Sequence, residues 1–308
     1  MSPVVLIIFN RPDLVERQCE RLLAMDLDQL FVVADGPRPG TDDADKCKAA
    51  RDIIDAAAWT CSVQKNYADA NMGCANRIVS GLDWVFSLVD RAIILEDDCL
   101  AHADFMSYCD ELLERYADNE LVMQICGTNP LADIQYPYSY RFSNHIMCWG
   151  WATWARDWSC NDVSMSLPEA DIDAMLERYM QGNRTAIEHW RMVIGKTRRG
   201  ELDAWDYPWQ LSVWRHGGIA ALPNQNLVSN AGFRADATHT RNSRARLANL
   251  PVHDLDFPLQ HPPDTHYGFQ YDIRFIEQGP GRVRTAPQKS RASLIRRIAS
   301  RLKHMLVG

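Results

Sequence analysis

Three acids in a row, Glu96, Asp97 and Asp98, stand directly behind the apolar run "AIIL" (92–95). Carboxylates so crowded repel one another, so the triplet needs water, hydrogen-bond donors or a cation. Mg2+ and Mn2+ suit it: both prefer hard oxygen ligands and often take one or two carboxylates plus phosphate oxygens from a substrate. An ion so held stabilises a diphosphate as a leaving group. Helix capping is the simpler role, but a cap takes a single acid, and Asp104 stands nearer the helix expected from residue 102. The metal reading is therefore preferred.

Other residues have two readings each. Asp206 in "AWDYPWQ" suits the N-cap of a helix starting near Pro208, or a general base that deprotonates a hydroxyl. Both stand, with Glu201 and Asp203 competing for the second. Trp149, Trp151, Trp154 and Trp158 cluster in "CWGWATWARDW". The 151/154/158 spacing predicts one buried helical face, while Trp149 or Trp151 is a candidate platform on which a flat ligand face could stack. Cys99 has no His/Asn pattern to activate it and reads as filler.

Positioning such groups falls to the elements around them. "PVVLIIF" (3–9) is a β-branched run fit for a strand buried on both faces, and Pro12 can open the helix that follows. Strands are expected at 30–35, near 61–66, at 91–96 and at 121–127. Helices are expected between them, over 43–59, from 74 and over 102–116. This alternation predicts an α/β fold with a mostly parallel central sheet flanked by helices, and a ligand beyond the strands' carboxyl ends. Asn10, Arg11, Asp35 and the acid triplet all fall there. Further on, helices are expected over 168–181, 184–198 and 203–218, with short strands at 219–222 and 226–229. From about 235 to 290 the composition predicts surface loops.

The chain has 308 residues, 46% of them hydrophobic, and a net charge of −7, which gives no case for nucleic-acid binding. Its nine cysteines follow no zinc or disulfide spacing and predict a reduced, cytoplasmic protein. Val4–Phe9 is too short for a secretory leader, and no stretch is long enough to span a bilayer.

The ordered set "FNRP … VADG … ILEDDCLAHADF", with "WGWATW" and "PNQNLVSNAGF…ATHT", resembles the GT-A-fold glycosyltransferases over roughly residues 3–240. It is most similar in pattern to the N-acetylglucosaminyltransferase I type and to bacterial nucleotide-diphospho-sugar transferases. The resemblance implies a hexosyl- or N-acetylhexosaminyltransferase that uses Mn2+ or Mg2+ and a nucleotide-sugar donor, UDP-linked for preference. It implies metal coordination by Asp98, donor contact by Asp97 and support by Glu96. Asp35 would accept a nucleobase N–H, Asn10 and Arg11 would line the nucleotide pocket, and Asn71 and Gly73 would form a loop near the donor. His239 would reach back to the metal, and Asp206 would act as base in an inverting transfer to a glycan or lipid-linked acceptor. Residues 1–128 would form the donor half and 129–245 the acceptor half of one domain, with 246–288 an irregular extension.

Two other readings are a sugar-nucleotide nucleotidyltransferase and a non-catalytic binding module. The first usually has a glycine-rich loop after the first strand, which "FNRPDL" lacks. Retention of the acids, Asp35 and His239 weighs against the second.

The tail, 289–308, carries six Lys/Arg and no acid, with Leu294, Ile298, Leu302 and Met305 on one helical face. That pattern predicts a helix lying on an anionic membrane surface, each basic residue contributing roughly 1 kcal/mol. Such a location suits the synthesis of a bacterial surface polysaccharide on a lipid carrier.

Overall fold

The computed structural model describes residues 1–134, 136–234, 247–265 and 269–278. His239 and the basic tail 289–308 lie outside the described residues.

The first strand, β1 (Val4–Ile8), is buried along its whole length. Val4, Leu6 and Ile8 enter one apolar cluster and Val5 and Ile7 another, so both faces of the sheet are covered. Helix α1 (Pro12–Leu23), with Pro12 at its start, leads to β2 (Gln29–Ala34). Then follow α2 (Asp43–Ala56), β3 (Ser62–Tyr67), α3 (Cys74–Phe86) and β4 (Arg91–Glu96). After the acids come β5 (Cys99–Ala101), α4 (Ala103–Arg115) and β6 (Val122–Cys126).

The second half adds β7 (Tyr140–Ser143), β8 (Trp151–Trp154) and the short α5 (Ala155–Trp158). Helices α6 (Glu169–Tyr179), α7 (Arg184–Arg198) and α8 (Asp206–Arg215) precede β9 (Ile219–Pro223) and β10 (Val228–Asn230). The last described helix is α9 (Phe269–Gln278).

Eight strands form one sheet in the order β3-β2-β1-β4-β8-β6-β9-β7, so both halves of the chain share it. β1, β2, β3 and β4 run parallel, as do β6 and β9, while β8 and β7 run antiparallel to their neighbours. The expected α/β architecture, a mostly parallel sheet flanked by helices, is what the structure shows. α1 and α2 pack on one face and α3 on the other. Chain connections therefore diverge between the adjacent strands β1 and β4, the topological switch point where a crevice opens at the carboxyl edge.

Three expectations are corrected. The tryptophan segment is not a single helix: β8 is held by hydrogen-bonded pairing to β4 and β6, and only residues 155–158 turn helical. Trp151 and Trp154 consequently enter opposite apolar clusters, as the two-residue strand period requires. The stretch expected to be loop contains α9, whose Tyr271 and Asp272 are buried. Asp272 takes hydrogen bonds from Ser143 Oγ and from the Asn144 backbone N–H, which locks α9 to the end of β7. The cap of α4 is neither Asp97, Asp98 nor Asp104; His102 accepts from the Asp104 N–H instead.

Asp157, in α5, yields a pH prediction. Burial pushes its carboxyl up to about 7, against the pull of Arg156 at 3.3 Å. A raised folded-state pKa favours the native state below the ordinary carboxylate range, and that advantage fades as pH rises through 7. Asp157→Asn is expected to stabilise the protein at pH 8 by on the order of 1–2 kcal/mol, and to give no gain at pH 4. Denaturant melts at the two pH values check this.

Candidate active site

At the switch point the sequence Asn10-Arg11 leaves β1 while Glu96-Asp97-Asp98 leaves β4. Arg11 donates to Asp98 Oδ2 at 2.8 Å and also pairs with Asp97 Oδ1. This answers the crowding of the triplet in part: one guanidinium compensates two carboxylates. Burial works against the Arg11 charge, but Asp97 and Asp98 more than offset it, so it stays cationic. Glu96 is pushed up by burial and then by Asp98 beside it, with Arg11 acting the other way. Asp97 is raised by burial against the pull of Arg11.

The acids are roofed from far along the chain. β10 pairs antiparallel with β5, which puts Ala231 N–H on the Asp98 carbonyl at 2.8 Å. Asn230 Oδ1 then accepts the Gly232 N–H at 2.7 Å. Gly232 presses on the site so closely that a Cβ there would stand 2.0 Å from Asp98 Oδ2. Phe233 packs edge-on against Trp149, with ring centroids 5.4 Å apart.

Beside the acids lies a cavity of about 580 Å3, lined at this end by Arg11, Glu96 and Asp98. Asp206 lines it too, at the first turn of α8, where Trp205 holds the N-cap position. Asp206 is close enough to act electrostatically on Glu96, Cys74 and Cys148. The other two candidate bases have partners elsewhere and do not line the cavity. Asp203 accepts the Cys74 and Ala75 N–H groups at 2.7 and 2.8 Å, capping α3, and Glu201 is exposed beside Arg199. Asp203→Ala should therefore cost about 1 kcal/mol of stability through the lost cap, and leave Asp206 in place. A thermal melt checks this.

Gly73, at the start of α3, has φ +83°, and a Cβ would meet Asp203 Oδ2 at 2.9 Å. Only glycine suits that turn. Asp35 accepts from Gly36 N–H (2.8 Å), Met72 N–H (2.9 Å) and Asn71 Nδ2 (2.8 Å). Its carboxylate thus shapes the 71–73 loop, and most of its acceptor capacity is engaged within the chain. Asn10 Nδ2 donates to Asp43 at 2.6 Å. These groups follow the carboxyl ends of β1, β2 and β3, next to the acids but outside the cavity lining.

Trp149 lines the cavity, but Trp151 is 0% exposed and stacks on Trp205 at 5.1 Å within the core. The platform role expected of Trp151 is corrected by that burial. Trp205 and Tyr207, flanking Asp206, reach the cavity wall, as do His145, Cys148 and His189, none of which the sequence singled out. Trp205 and Tyr207 are adjacent to a residue already suspected; the others are brought in by packing alone. Cys99 is fully buried, its thiol raised far above the ordinary range by burial, which agrees with inert filler.

The oxygen donors match a hard divalent ion in type, while Arg11 already pairs with Asp97 and Asp98. Asp98 and Glu96 present carboxylates to the cavity, and Asp97 Oδ2 is buried without a hydrogen-bond partner. Among the described residues, the group of three whose ligand atoms lie within 4.8 Å of one another is His102, Asp104 and Asp254, distinct from the acids that follow β4. It is already hydrogen-bonded as the α4 cap, and Asp104 accepts the Leu255 N–H at 2.9 Å. Among described residues, no helix is long and apolar enough to cross a membrane.

No protein-family model matches the chain, and no curated protein matches it. Among solved structures it is similar to the mannosyltransferase PcManGT from Pyrobaculum calidifontis in complex with GDP-Man and Mn2+. That similarity has 12% identity, a TM-score of 0.37, and coverage of 70% of this chain and 69% of that one. It is also similar to S. aureus TarS 1-349 (8% identity, TM-score 0.43, 74% of this chain and 59% of that one). A third similarity is to a cytidylyltransferase from Leptospira borgpetersenii (13% identity, TM-score 0.34), where the chain covers 64% of that protein with 53% of its own length.

Proposed function

We propose that this protein is a metal-assisted glycosyltransferase that uses a nucleoside-diphosphate sugar, UDP-linked in this reading. The sugar would pass with inversion to a glycan or lipid-linked acceptor. The observation that carries the reading is that one cavity holds both the acids at the end of β4 and Asp206 at the start of α8. Asp98 would hold Mn2+ or Mg2+ with Glu96 in support, and a bound ion would take up charge on the departing diphosphate.

Asp206 accepts the acceptor's hydroxyl proton as that oxygen bonds to the anomeric carbon. The bond from the anomeric carbon to the diphosphate breaks on the opposite face, and the nucleoside diphosphate leaves with the electron pair. The positive end of the α8 dipole favours a carboxylate at this position. Arg11 holds Asp97 and Asp98 in register, and Asn10, Asp35, Asn71 and Gly73 shape the adjoining edge for the nucleotide. Trp149 offers an acceptor platform at the cavity wall. The basic tail 289–308 supports work at an anionic membrane face, where a carrier for surface polysaccharide would be met.

A panel of sugar nucleotides with and without Mn2+ tests the reading. At least one donor should raise the melting temperature only when the metal is present, and be slowly hydrolysed. No metal-dependent response to any donor overturns it. Formation of a sugar nucleotide from a nucleoside triphosphate and a sugar phosphate would favour a nucleotidyltransferase instead.

A further inference from the structure

The cavity's charges are segregated. Among its described lining residues the only ionised types are Arg11, Glu96, Asp98 and Asp206, all at the end by the strands and the start of α8. The far wall is made where α6 ends, α7 begins and α9 crosses; Met180, Ala186, Trp190, Phe275 and Ile276 with Met147 make it mostly apolar, and Asn183, Thr185 and His189 add polar groups from the start of α7. Four of the six apolar residues, Met180, Ala186, Trp190 and Ile276, belong to or pack on the apolar cluster around Trp214. The one histidine buried in this wall, His145, is 2% exposed, and burial lowers its pKa, so it is neutral. Its Nε2 has no hydrogen-bond partner.

A sugar needs donors and acceptors around its hydroxyls, which the methionine, alanine, isoleucine and phenylalanine side chains over most of this wall do not supply. Methionine instead adapts to flexible apolar shapes. A wall of this chemistry, continuous with a charged reaction centre, matches an amphipathic molecule lying across both.

We propose that the far wall binds a hydrocarbon chain of the acceptor, with the head group directed to Asp206 and the acids. The placement of the head group rests on the glycosyl-transfer reading; the chain site does not. Calorimetry of the full chain with n-alkyl β-D-glucosides of increasing length, kept below their micelle concentrations, tests it. Affinity should rise about threefold to fourfold per added methylene until the wall is covered, with one molecule bound and a negative heat-capacity change. Ala186→Phe, which fills the wall, should weaken octyl glucoside at least tenfold while leaving the Mn2+-dependent shift by a sugar nucleotide unchanged.

Affinity independent of chain length, or binding of many molecules per chain, overturns the proposal. So does unchanged octyl glucoside affinity in a folded Ala186→Phe protein. Should that variant not fold, the wild-type length series decides alone. Chain-length-dependent binding without any donor response would uphold the chain site and remove the transferase reading. A donor response with flat alkyl affinity would do the reverse.

Discussion

Asp98→Asn is expected to lower transfer by roughly three orders of magnitude, the equivalent of about 4 kcal/mol of transition-state stabilisation. The side chain keeps its shape, but the cavity loses the carboxylate proposed to hold a divalent ion. Asp98 is 8% exposed and Asp97 only 1%, so Asp98 is the more accessible of the two aspartates. The measurement is steady-state transfer at saturating Mn2+, with a melting curve to show that the fold survives. Asp206→Asn is the companion experiment. Near-normal turnover there, with loss in Asp98→Asn, would remove the base assignment and uphold the metal assignment.

Gly232→Ala is expected to disable the same site from the opposite side. Its new methyl would lie 2.0 Å from Asp98 Oδ2, 2.7 Å from Asp98 Cγ and 3.1 Å from Arg11 Nη1. The backbone has little room to retreat, because Asn230 Oδ1 holds the Gly232 N–H and the Asp98 carbonyl holds Ala231. Overpacking of this kind costs about 1–3 kcal/mol. The displaced Asp98 should lower turnover by roughly a hundredfold, as small misplacements of reacting groups do. Wild-type melting and turnover in this variant would show that residues 230–233 do not press on the acids.

The first half of the fold was legible because its signals are local. The apolar run 4–8, Pro12 after it, and the repeating strand–helix alternation each report on neighbours in sequence. Helix α7 was read over 184–198, and the structure puts it at Arg184–Arg198. The tryptophan segment misled because spacing 151/154/158 has a helical period, whereas the segment's conformation is decided by β4 and β6 on either side. β5 escaped notice because its partner, β10, is remote in sequence. The acid triplet was plain from residue type, but its compensation by Arg11 depends on β1 and β4 being adjacent. The cavity's far wall joins α6, α7 and α9, and no local pattern announces such a meeting.

The small β5–β10 ribbon has a consequence for how the protein matures. Mutual repulsion among the acids is relieved by Arg11, just after the first strand, and their cover arrives with β10, the last described strand. These contacts span most of the chain and close late, since loop closure opposes distant pairing until much else is ordered. A nascent or partly opened molecule thus lacks the paired and covered acids, and competence of the site becomes a report of complete folding. Ligand should then protect amides across the whole domain from hydrogen exchange, including positions far from the carboxyl edge.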